Sequence, residues 1–83
     1  MADSIETQVI AMISKKRKTD PATVTLDSTF AELGIDSLDA TDLIFAFEDT
    51  FGIVVPDDQA QTMKTVRDVV DGVTRLVHER ARA

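Results

Sequence analysis

A chain of 83 residues holds one domain, and a domain of that size takes only about 60–65% of its unfolded surface out of water, which argues against a self-contained enzyme with a deep pocket. With no cysteine, disulfides, thiolate metal sites and thiol nucleophiles are excluded, and a cytosolic home is permitted. The formal net charge of -6 is unevenly laid out. No Lys or Arg falls between Lys18 and Lys64, while Asp20, Asp27, Glu32, Asp36, Asp39, Asp42, Glu48, Asp49, Asp57 and Asp58 all lie in that interval. The middle of the molecule is therefore expected to repel nucleic acid and to attract basic partners. The amino end, Met1 to Glu6, lacks the basic start and apolar run of a signal peptide, and no stretch approaches the ~20 apolar residues of a membrane span. The chain reads as soluble and cytoplasmic.

Taken in chain order, Ile5, Val9, Met12 and Ile13 share one face of a helix predicted over residues 3–17. The Lys15 to Lys18 run in its last turn suits the negative end of the helix dipole; a partner-binding patch is the other reading. Pro21 stops the helix, and residues 18–35 read as a long loop tacked down by Val24, Leu26, Phe30 and Leu33, with a short helical turn near Ser28 to Leu33 as an option. A second helix is predicted over 36–51. Asp36 and Ser37 are both good N-cap types and Gly34 supplies the entry. Its inward stripe is Ala40, Leu43, Ile44, Phe47 and Phe51. Leu38 and Phe45 fall on the opposite side, beside Asp42 and Asp49.

Ile53-Val54-Val55 has no second strand to pair with and reads as a buried connector. Pro56 at a first helical position, followed by Asp57 and Asp58, suits a short helix over 57–62. The last helix is predicted over 65–80, with Thr65 as N-cap, Asp68 three residues on in the manner of a capping box, and an inward stripe of Val66, Val69, Val70, Val73 and Val77. Gly72 in its middle suggests close approach of a neighbour. The expected fold is a small all-α four-helix bundle, three main helices and one short one, with a long first loop, in a single domain over 1–83.

Leu33-Gly34-Ile35-Asp36-Ser37-Leu38-Asp39, the Leu43 to Phe51 helix, Pro56-Asp57-Asp58 and Lys64-Thr65-Val66 together resemble the bacterial acyl carrier proteins. The likeness runs from the first helix to the last. It implies a non-enzymatic carrier in which Ser37, next to the motif residue Asp36, is esterified to 4'-phosphopantetheine, whose thiol holds acyl groups as thioesters for fatty acid or related lipid or polyketide synthesis. It also implies a monomer that works with a phosphopantetheinyl transferase and with acyl-processing enzymes bearing basic docking patches. Their contact face is expected at Leu38, Asp39, Asp42, Phe45, Glu48, Asp49 and Asp57, and the acyl chain is expected among Phe30, Ile35, Leu43, Phe47, Ile53, Val55, Met63 and Val69. These eight serve equally as a small core.

The attachment has physical sense. A phosphodiester at a helix amino end meets unpaired N–H groups and the positive end of the dipole. The Lys15 to Lys18 run, the Arg75, His78, Arg80, Arg82 tail and Ile35 depart from the usual fatty-acid carrier and leave the pathway open. His78 is the sole histidine and no catalytic constellation accompanies it. No calcium loop is present, although acids near Asp36 to Asp39 and Glu48 to Asp58 suit loose divalent binding without a resident metal. The alternative from another class is an acidic helical interaction module with no prosthetic group, in which Asp36-Ser37 is only a helix cap.

Overall fold

Among the described residues of the computed structural model, four α-helices follow one another: α1 (Ile5–Arg17), α2 (Ser37–Phe51), α3 (Asp57–Gln61) and α4 (Val66–Arg82). The structure describes residues 4–82, with side chains described from Ser4 to Arg80; the expected helix start at residue 3, and Arg82 of the expected basic tail, lie outside that range. Among the described residues there is no strand, only an isolated bridge between Thr29 and Thr65. The all-helical reading holds.

Each helix starts where local chemistry directs. The hydroxyl of Ser4 accepts the Thr7 N–H at 3.1 Å, and the carboxylate of Asp36 accepts the Asp39 N–H at 2.9 Å, so Asp36, not Ser37, is the N-cap of α2. Pro56 is likewise the N-cap of α3 and not its first helical residue, and its fixed φ leads the chain into the turn without a side-chain cap. α1 closes on Lys18, whose φ of 55° is the left-handed conformation usually left to glycine.

The amphipathic stripes meet in one core. Val9 and Ile13 of α1, Leu43 and Phe47 of α2, and Val66, Val69 and Val73 of α4 are buried together with Val24, Ile35, Ile53, Val55 and Met63. Phe47, the largest of them, is 1% exposed. Burial of this order, about 25 cal/mol per Å² of apolar surface, holds β-branched α4 in helical form where propensity would not. Gly72 is buried in α4, and a Cβ there would stand 2.5 Å from the Met63 Cε. The predicted close approach is real, and the approaching group is Met63.

The connector after α2 departs from its expected form. Ile53 and Val55 are buried as expected, but Val54 between them is 77% exposed. Residues 53–55 lie in no helix or strand, and burial simply alternates along them.

The long loop is ordered by backbone bonding. It holds a 3-10 turn at Pro21–Thr23 capped by Asp20, and then runs along the amino end of α4. The Val66 N–H donates to the Ser28 carbonyl at 3.0 Å and the Arg67 N–H to the Leu26 carbonyl at 2.9 Å. The next two donors are met by Thr65, its hydroxyl taking the Asp68 N–H at 3.1 Å and its carbonyl the Val69 N–H at 3.3 Å. In return the Asp68 carboxylate accepts the N–H groups of Lys64 and Thr65 at 3.0 and 3.2 Å. These bonds, with that from Lys64 first, hold the Asp68 carboxyl below its ordinary value of 3.8. An ion pair of Arg67 with Asp27 at 2.9 Å ties the same junction at the surface.

Candidate functional site

Ser37 is the first residue of α2 and is exposed. The first helical bond is that of the Ala40 N–H to the Asp36 carbonyl at 2.9 Å, and Asp36 also takes the Asp39 N–H. The N–H groups of Ser37 and Leu38 therefore precede the intrahelical ladder. Two donors and the positive end of a fifteen-residue helix converge at this corner, an arrangement suited to an anion.

Loop geometry puts the corner in place. Gly34 has a φ of 73°, costly for any residue with a Cβ, and the Ile35 N–H donates back to the Phe30 carbonyl at 2.9 Å. Arg17 of α1 reaches across, its Nε donating to the Leu33 carbonyl at 3.0 Å. Its Nη2 would stand only 3.1 Å from a Cβ on Gly34. The chain thus turns tightly under a guanidinium immediately before Asp36.

Two shallow grooves flank Ser37. One, of about 450 Å³, runs toward the loop and the start of α4 and is bordered by Thr29, Phe30, Ala31, Ile35, Ala40, Met63 and Lys64. The other, of about 300 Å³, runs toward α3 past Thr41, Ile44, Asp57 and Ala60. Of the residues expected to shelter an acyl chain, Phe30, Ile35 and Met63 border the first groove. Phe47, Ile53, Val55 and Val69 are packed in the core behind it, and Leu43 instead borders a separate groove between α1 and α2. Lys64 was not singled out from the sequence as a site residue, although its position directly before the Thr65 cap carried the signal.

The expected contact face divides. Leu38 and Phe45 stand out at 77% and 63% exposure, and Asp49 and Asp57 are exposed with no ion pair among the described residues. Asp39 and Asp42 are paired within the molecule: Lys16 Nζ lies 3.8 Å from Asp39 and 3.3 Å from Asp42, and Arg17 lies 3.9 Å from Asp39. Glu48 is half-buried and accepts the Val55 N–H at 2.7 Å, tying down the connector. The basic run thus does more than end its own helix. Among the described residues no cluster of three or more acids or histidines is disposed to hold a metal ion, and no helix is long and apolar enough to cross a membrane.

Residues 7–73 match the family described as "Phosphopantetheine attachment site". The acyl carrier proteins of Rickettsia typhi and Rickettsia prowazekii are each 48% identical over 69 residues, covering 82% of this chain and 80% of the relative. The crystal structure of an acyl carrier protein from Thermotoga maritima superposes with a TM-score of 0.78 at 34% identity, covering 88% of this chain and 86% of that one.

Proposed function

Since this chain belongs to the acyl carrier proteins, a family of carriers and not of enzymes, we propose that Ser37 is the residue to which its 4'-phosphopantetheine is joined. The observation that carries the assignment is the open amino end of α2, where an exposed hydroxyl sits beside two N–H groups outside the helical ladder. When bound, 4'-phosphopantetheine supplies a terminal thiol that holds acyl groups as thioesters, a thiol this cysteine-free chain lacks.

The residues present fit the group. The Ser37 and Leu38 N–H groups and the helix dipole favour a phosphodiester, and Lys64 on the rim of the first groove adds a cation. Asp36 holds the helix start rigid, so the serine is presented and not buried. Phe30, Ile35 and Met63 offer the nearest apolar surface to an acyl chain, and Met63 is the adaptable one. Phe47, Ile53, Val55 and Val69 lie deeper and would meet a chain only if the core parted, and Leu43 faces the separate groove between α1 and α2.

A phosphopantetheinyl transferase and acyl-processing enzymes with basic patches are the partners proposed for the face formed by Leu38, Asp39, Asp42, Phe45, Glu48, Asp49 and Asp57. Exposed ion pairs contribute only about 0–1 kcal/mol each, so such contacts are weak and salt-sensitive, as suits a shuttle that must leave. We place the carrier in the cytoplasm as a monomer, serving fatty acid or related lipid or polyketide synthesis. Intact mass before and after incubation with coenzyme A and a broad-specificity transferase tests the assignment. A phosphopantetheine-sized gain on the wild type and none on Ser37→Ala is the expected result. A gain retained by Ser37→Ala would move the attachment elsewhere.

A further inference from the structure

The outward ridge of α2, Leu38 and Phe45, has two unlike edges. Side chains advance 100° per residue around a helix, which puts Asp39 and Asp42 on the edge toward α1 and Thr41 and Glu48 on the edge toward α3. On the α1 edge, Lys16 lies within 3.8 Å of both acids and Arg17 within 3.9 Å of Asp39. Beyond the α3 edge stands Asp57, which borders a groove with Thr41 and Ile44; neither it nor Asp49 on the ridge has a cation within ion-pairing distance among the described residues. An exposed apolar residue, Val54, lies in the connector between the two helices.

We propose that Lys16 and Arg17 act as an internal competitor for the docking face, so that a partner enzyme's Arg and Lys side chains engage Asp49 and Asp57, one on either side of Phe45, in preference to Asp39 and Asp42. The proposal rests on the carrier reading and specifies how its face is read. Asp39 and Asp42 already have the cations a partner would bring, so a partner gains little from them unless it first displaces α1. Asp49 and Asp57 present uncompensated charge to the same partner. Arg17 is also committed to the Leu33 carbonyl, so displacing it would loosen the turn ahead of Ser37. Lys16 makes no such bond and is the part of the competitor that can be removed cleanly.

The experiment measures transferase KM for the phosphopantetheine-free protein at low and high salt, with Lys16→Gln, Lys16→Arg, Asp42→Asn and Asp49→Asn in single and paired combinations. Lys16→Gln should lower KM by about 1.5- to 5-fold at low salt, the range one exposed ion pair carries, with kcat unchanged and the difference gone at high salt. Lys16→Arg should keep the wild-type KM. Asp49→Asn should raise KM more than Asp42→Asn does in the wild type, and Asp42→Asn should become more costly once Lys16→Gln is present. If Lys16→Gln raises KM or leaves it unchanged, or if Asp42→Asn costs the same in both backgrounds, the internal competitor is overturned while the carrier stands. A wild type that takes up no phosphopantetheine at all would remove the carrier reading itself and this proposal with it.

Discussion

The amino ends of α2 and α4 are built from the same materials and finished differently. Each start has an Asp whose carboxylate accepts backbone N–H, Asp36 as the N-cap of α2 and Asp68 in the first turn of α4, and both are entered from a loop. At α4 every early donor is taken: Val66 and Arg67 by loop carbonyls, Asp68 and Val69 by Thr65. At α2 only Asp39 and Ala40 are served, both by Asp36, and the N–H groups of Ser37 and Leu38 stand ahead of the ladder. A fully paired helix start is a structural joint, whereas one with donors to spare is a place to hold an anion. The difference arises because the loop passes over one end and turns away from the other.

The comparison can be broken most decisively at Ser37. Ser37→Ala should abolish phosphopantetheine uptake by mass while shifting stability by less than about 0.5 kcal/mol, as expected of an exposed residue outside any cap bond. Gly34→Ala forces a Cβ into a left-handed turn beside Arg17 and should cost about 1–2 kcal/mol, read by urea unfolding, with slower uptake at Ser37 because the turn ahead of it shifts. Thr65→Ala addresses the sealed end and should cost about 1 kcal/mol with the uptake rate unchanged. An equal loss of uptake there would deny that the two ends have separate roles.

The smallest effect is in pH. The Asp68 carboxyl is held below 3.8 by N–H groups it accepts only in the folded chain, so it favours the native state fully above that value. The contribution fades as pH falls through 3.8 toward the lower folded value, because the unfolded chain then binds the proton more readily. The melting temperatures of the wild type and Asp68→Asn should differ at pH 7, and the gap should narrow as pH falls below 3.8. A gap that stays constant below that pH would mean that the carboxylate's charge is not what seals α4.

Much of this is legible in the chain itself. The 3.6-residue spacing of Val9 with Ile13, of Leu43 with Phe47 and of Val69 with Val73 marks faces that must be covered, and such spacing already yields the all-helical class. Asp36 and Thr65 with Asp68 announce helix starts because their bonds reach only three residues along the chain. Leu38 and Phe45 stand outside the apolar stripe by simple angular counting, and they are exposed in the folded molecule. The run Ile53-Val54-Val55 is legible only in part: composition reports that it is apolar, but the exposure of Val54 depends on the path the chain takes between α2 and α3.

What the sequence determined alone is therefore local: which segments coil, where they start, and that an acidic helix begins at an Asp-Ser pair after a glycine. What tertiary structure decided is which charges are spent. Lys16 meets Asp42 across 26 positions and Arg67 meets Asp27 across 40, and no periodic pattern encodes contacts between residues so far apart. The same holds for the loop carbonyls of Leu26 and Ser28, which seal α4 and leave α2 open. Helix periodicity is set by bonds between near neighbours, whereas a surface charge is left free or neutralised by whichever helix the core packs beside it.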